Sequence, residues 1–415
     1  MKKSFYLLLF VFIAFACSSD DNSGTTDDTT DDQQTTDDGP DPVEPPTKAP
    51  CENGVAGIYP CNDYDLFYRM ALSTFAAGSG NDSWGWTDPN TGKEYAIMGL
   101  DNGTAFIDIS LETPVYLGKL PTETTASSWR DVKVYNNHAF IVSEAGGHGM
   151  QVFDLTKLRD VDNPPVTFSR DALFSEFGSA HNIVINEDTG YAYAVGADNF
   201  SGGPLFINIQ DPLNPVGEGG YAMDSYSHDA QVVTYNGPDT DYTGREILIG
   251  SNENEVVIVD ITDKNNPQNI STISYGQVGY THQGWFTEDQ THFILGDELD
   301  ELDFGFNSRT LILNFTDLDN PFFVGDYFGP TTAIDHNGYV KGDLFYLANY
   351  TAGLRVLSTS DVATGTLSEV GFFDSFVDND VASFDGAWNV YPYFESGKIV
   401  ISDINGGLFI VQKKQ

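Results

Sequence analysis

The chain has 415 residues, with 61 Asp and Glu against 19 Lys and Arg, a formal net charge of -42. That excess disfavours binding to nucleic acid, because a surface this negative repels phosphate. Aromatic residues are 13% of the chain and Gly contributes 41 residues, which suits many short strands joined by tight turns.

The N-terminus reads as an address. Lys2 and Lys3 precede an apolar core from Phe5 to Phe15, too short to span a bilayer as a stable helix. Ala14-Phe15-Ala16-Cys17 resembles a lipoprotein signal, which implies removal of residues 1–16 and lipidation of Cys17. The next residues, Ser18-Ser19-Asp20-Asp21-Asn22, resemble the acidic export tag of surface lipoproteins in Bacteroidetes. That likeness implies an outer-membrane protein displayed on the cell surface. From residue 17 to 50 the chain is Thr, Asp, Gly and Pro with almost no apolar residues, a self-repelling tether that cannot bury a core. Cys51 and Cys61 then stand ten apart and are expected to form a disulfide after export, Cys17 being committed to lipid.

Beyond residue 65 the pattern is short apolar or alternating runs broken by Gly, Asn and Asp, with no long helical period. Four histidines each open such a run: His181, His228, His282 and His336, spaced by 47, 54 and 54 residues. The same register reaches Arg130 and Ser83 upstream and Asp385 downstream, giving seven repeats. Each repeat supplies four short strands, the third ending in an acidic or polar turn, as in Val256-Val257-Ile258-Val259-Asp260. Four antiparallel strands at this period form a propeller blade, so residues 51–415 are expected to be one all-β, seven-bladed β-propeller. The last repeat has only three strands before the chain ends. The run from Leu66 to Phe75 is expected to supply the fourth and close the ring, removing an exposed edge.

The Val256–Asp260 segment resembles the LVIVD repeat. More of the chain resembles the choice-of-anchor B family, through residues 51–61, 128–144, 181–196, 228–231, 251–253, 282–285, 296–301 and 353–355. The resemblance implies the propeller and a surface anchor. It supplies no reaction.

In a propeller the first strand of each blade lines the central channel, so Ser83, Arg130, His181, His228, His282, His336 and Asp385 are expected to ring one mouth. The turns between second and third strands would add a collar of Asp101, Glu144, Asp198, Glu253, Glu298, Asn349 and Asp403. Three readings of this ring stand side by side. Imidazoles backed by carboxylates suit a divalent or transition-metal ion, and with it an oxidase-like, metal-dependent enzyme. Arg130 and protonated histidines, beside Trp84, Trp129, Trp285 and Trp388, suit an anionic small ligand or a protein partner at the mouth. A duplicated blade can also keep one histidine simply to hydrogen-bond its neighbour. The acidic run Asp297–Asp303 offers oxygen ligands for calcium but lacks EF-hand spacing and reads better as a solvated turn.

Overall fold

A computed structural model describes residues 45–414; the signal segment, Cys17 and nearly all of the tether lie outside the described residues. Seven β-sheets are built in sequence order, each with an antiparallel core of four strands. Their inner strands are Gly80–Thr87, Arg130–Tyr135, Asn182–Asn186, Asp229–Thr234, Thr281–Phe286, Gly338–Lys341 and Ala387–Tyr391. The chain is therefore the expected seven-bladed propeller.

The strand pattern follows from how blades pack. Second and third strands have a neighbouring blade on both faces, so they are apolar without alternation; Glu94–Leu100, Gly103–Asp108 and Val256–Asp260 are buried at every position. Outer strands face solvent and are less buried, as in Gln268–Ile273, where no residue is fully buried. The apolar side chains gather into seven clusters, one at each blade-to-blade interface. A blade is thus stable only between two others, which makes closure of the ring a condition for stability rather than an ornament.

Closure comes from the N-terminal side. Tyr64–Met70 pairs antiparallel with Gly407–Lys413 and completes the seventh blade. The remainder of the expected Leu66–Phe75 strand turns off at Ala71 into a single helical turn, Leu72–Phe75. Just before the closing strand, Val55–Ala56 and Tyr59–Asn62 form a hairpin that adds to the outer strand of the sixth blade, with Cys61 opposite Phe373. Cys51 and Cys61 are disulfide-bonded, with Cα atoms 6.0 Å apart. Pairing begins before residue 51, since Ala49 bridges Leu66.

The blades are also fastened to one another around the channel by one polar side chain each. Asp82 accepts from the Val132 amide (3.0 Å) and Asp131 from that of Ile183 (2.7 Å). Asn182 donates to the His228 carbonyl (3.2 Å), and Gln231 accepts from the Phe286 amide (2.9 Å). Gln283 accepts from the Gly338 amide (2.9 Å), Asn337 donates to the Trp388 carbonyl (3.5 Å), and Asn389 donates to the Ser83 carbonyl (2.7 Å). Every interface therefore carries a clasp from one inner strand to the backbone of the next. Lys133 lies among the clasp carboxylates, bonded to Asp131 and 3.5 Å from Asp82, beneath the Trp84 ring.

Arg130 corrects the sequence reading. It is buried and turned away from the channel into the interface between the first two blades. There its guanidinium donates to the Leu100 carbonyl (3.1 Å), the Thr122 hydroxyl (2.8 Å) and His148 Nε2 (2.9 Å). Because a guanidinium only donates, His148 Nε2 must accept, and its Nδ1 carries the proton to the Gly149 carbonyl 2.9 Å away. Burial and the adjacent Arg130 charge push the His148 pKa down to about 4.

Two predictions follow from these contacts. The Cys51→Ser/Cys61→Ser variant should lose roughly 2–3 kcal/mol, the entropy of a loop of about ten residues. In the native protein both thiols should resist alkylation until reduced, and labelling without reductant would refute the bridge. His148, neutral when folded and titrating near its ordinary value when unfolded, should weaken the fold as pH falls below about 6.5. Between pH 7 and pH 5 the stability of wild type relative to His148→Gln should drop by about 2 kcal/mol in chemical denaturation. A pH-independent difference would show that the imidazole titrates freely.

Candidate functional site

The start of the inner strand carries an irregularity that aims side chains into the channel. In the fifth blade Thr281 pairs with Asp297 and Gln283 with Gly296, leaving His282 as an extra residue. His181 and Asn182 both face Val195, His228 and Asp229 both face Ser251, and His336 and Asn337 both bond Ala348. Two residues opposite one is a β-bulge, a device that re-aims a side chain without ending the strand. Four consecutive bulges thus place four imidazoles side by side: ring centres lie 4.2 Å apart for His181–His228, 4.3 Å for His228–His282 and 4.5 Å for His282–His336.

The other three positions of the expected ring are filled differently. In the seventh blade the bulge falls at Trp388, between the paired Ala387 and Asn389. Asp385 lies upstream, bonded to Ser383 and Asn405, and does not line the cavity. In the first blade Asn81 and Asp82 together face Gly99, so Ser83 falls back into the ladder opposite Met98, and Ser79 and Gly80 reach the mouth. At Arg130 the strand starts in register, opposite Ser143, with no bulge to turn it inward. The mouth therefore has a histidine arc from the third to sixth blades, not a polar ring of seven.

Of the expected collar, two carboxylates reach the arc. Glu144 Oε1 is 2.6 Å from His181 Nδ1. Glu298 lies between His282 and His336, with each Nε2 3.6 Å from one of its oxygens. Tyr350, buried against His336, donates to Glu298 Oε1 (2.8 Å) and fixes the carboxylate. Glu253 is exposed and accepts from the Tyr280 hydroxyl (3.2 Å). Asp101 and Asp198 accept from the amides of Gly78 and Gly178, and Asp403 and Asn349 are buried in turn networks of their own. The Asp297–Asp303 run is not a solvated turn throughout. Asp297, Asp300 and Glu301 are buried, and Asp297 accepts from four backbone amides and the Tyr275 hydroxyl. Arg309 pairs with Asp300.

The tautomers of the arc are set by the neighbouring blade. His228 Nδ1 lies 3.3 Å from the His282 carbonyl, and His336 Nδ1 bonds the Trp388 carbonyl. A carbonyl can only accept, so each Nδ1 carries the hydrogen and each Nε2 keeps its lone pair. Burial, and then the adjacent imidazoles, push the pKa of His336 down to about 3; burial and His181 do the same for His282. Burial, and then the imidazoles around it, also hold His228 well below the ordinary histidine value. His228, His282 and His336 are thus held neutral, and His228, His282 and Glu298 bring ligand atoms within 4.8 Å of one another.

These residues line a cavity of 420 Å³, in the size range of small-molecule sites. Trp129, Phe384, Trp388 and Ile404 form its opposite wall. Trp84 and Trp285 instead line a separate cavity of 380 Å³ with Lys133, Tyr391 and Tyr393, so the four tryptophans divide between two sites. The clasps went unread in the sequence, although their signal was present: Asp131, Asn182, Gln283 and Asn337 each directly follow the residue in the repeat register.

The sequence matches no protein-family model and no curated protein. Solved structures are similar in fold. The β-propeller domain of Cps50 (Swd1) from Myceliophteria thermophila is 9% identical with a TM-score of 0.51, covering 77% of this chain and 94% of that one. A putative 6-phosphogluconolactonase from Bacteroides uniformis is 15% identical with a TM-score of 0.51, covering 72% and 85%. The Kuenenia stuttgartiensis hydrazine synthase is 11% identical with a TM-score of 0.53, covering 77% and 92%. At these identities the likeness establishes the β-propeller fold and nothing about chemistry.

Proposed function

We propose that this chain is a surface-displayed binding propeller, anchored through a lipidated Cys17, that holds a transition-metal ion at its histidine mouth through His228, His282 and Glu298. One observation carries the metal: His228, His282 and Glu298 bring three ligand atoms within 4.8 Å of one another, and the His336 Nε2 lone pair lies 3.6 Å from the same carboxylate. Two acceptors so placed repel unless a cation lies near both. Glu298 also lies 3.6 Å from His282 Nε2, and His228 completes the group. Imidazole with carboxylate is a donor set that zinc, copper, iron and nickel accept, and Nδ1–H bonds to carbonyls are the outer support such ligands ordinarily have. The withdrawal of Arg130 removes the one cation that would have opposed a metal, and with it the group that favoured an anionic ligand.

Catalysis at the same metal is the second reading. It is favoured by the small number of protein ligands, which leaves coordination positions open toward the cavity. The family resemblance and the export address support surface display, with the propeller offered to solutes or partner proteins outside the cell.

Elemental analysis of purified protein should find a transition metal near one equivalent, absent from His228→Ala/His282→Ala. Tyr350→Phe should keep the fold but lower metal affinity about 10–100-fold, since it frees the Glu298 carboxylate. Metal-free protein whose thermal stability ignores chelators would remove this reading. For the anchor, cells fed labelled palmitate should label wild type and not Cys17→Ser; persisting label in the variant would place the lipid elsewhere.

A further inference from the structure

The cavity over the proposed metal is two-sided. Its histidine side comes from the third to sixth blades, while the seventh, first and second blades supply Trp129, Phe384, Trp388 and Ile404 with Ser79 and Gly80. Glu298 is the sole charged side chain lining the cavity among the described residues, so the apolar wall holds no cation to receive an anionic group. Trp129 and Phe384 stand at the lip with 46% and 48% of their surface exposed, a costly placement for two large aromatics. Trp388 presents its ring beside His336, centres 4.9 Å apart, where the wall meets the arc.

We infer that the cavity takes a planar aromatic ligand that chelates the metal through adjacent oxygens, its ring held between Trp129 and Phe384. The inference rests on the metal reading above and adds the ligand class. A negative donor pair needs a positive partner, and on this lining only the metal can supply one. The body of such a ligand is flat and apolar, and the lip offers aromatic faces and edges for it. An aliphatic dicarboxylate would set its second charge among Trp129, Phe384 and Ile404, where the lining has no cation to receive it.

The test uses the whole mature chain in mild detergent, loaded with one equivalent of Zn(II) and titrated with 4-nitrocatechol. The visible band of the probe moves when both of its hydroxyls lose their protons to a metal. The band should shift and saturate at one equivalent, with zinc still bound after gel filtration. Trp129→Ala/Phe384→Ala should keep its zinc and weaken the probe about tenfold or more. No shift in zinc-loaded protein, release of zinc to the probe, or unchanged affinity in the double variant would overturn the ligand class while leaving the metal in place. Failure to hold zinc at all would take down both readings.

Discussion

The structure depends on seven hydrogen bonds around the channel, each running from a polar side chain on one inner strand to the backbone of the next blade. Propeller blades meet mainly through apolar faces, and apolar faces slide: burial is proportional to area and has little directional preference. A buried hydrogen bond is directional and costly to leave unmade. Asp82, Asp131, Asn182, Gln231, Gln283, Asn337 and Asn389 thus fix the rotation of each blade against its neighbour. They also set how far each inner strand protrudes into the channel, and the mouth inherits that precision.

The histidine arc uses the same arrangement twice. A bulge turns each imidazole inward, and for His228 and His336 the carbonyl exposed at the next blade's bulge takes the Nδ1 hydrogen. One contact therefore fastens two blades and decides which nitrogen is left as a ligand. Where the contact is missing, the chemistry changes. Arg130 has no bulge and becomes part of a buried interface, with His148 serving as its acceptor. His148, outside the register, thus serves the blade interface and not the mouth.

Ring closure bears on the site from a distance. The N-terminal strand completes the seventh blade and the disulfide-bonded hairpin extends the sixth. Those two blades contribute His336, Tyr350, Phe384, Trp388 and Ile404 to the mouth.

The sequence by itself determined the blade number, the strands within each blade, the closing strand and the pairing of Cys51 with Cys61, because these rest on periodicity, turn residues and short separations. It also showed that the four histidines are equivalent. Tertiary structure alone decided which residues enter the mouth, since a bulge shifts the inward position by one residue or more and leaves no mark in composition. That is why Trp388 stands where Asp385 was expected, and why Ser83 and Arg130 left the ring. The choice of Glu298 over most of the other turn residues was likewise a matter of reach, set when Tyr350 of the next blade came within 2.8 Å of its carboxylate.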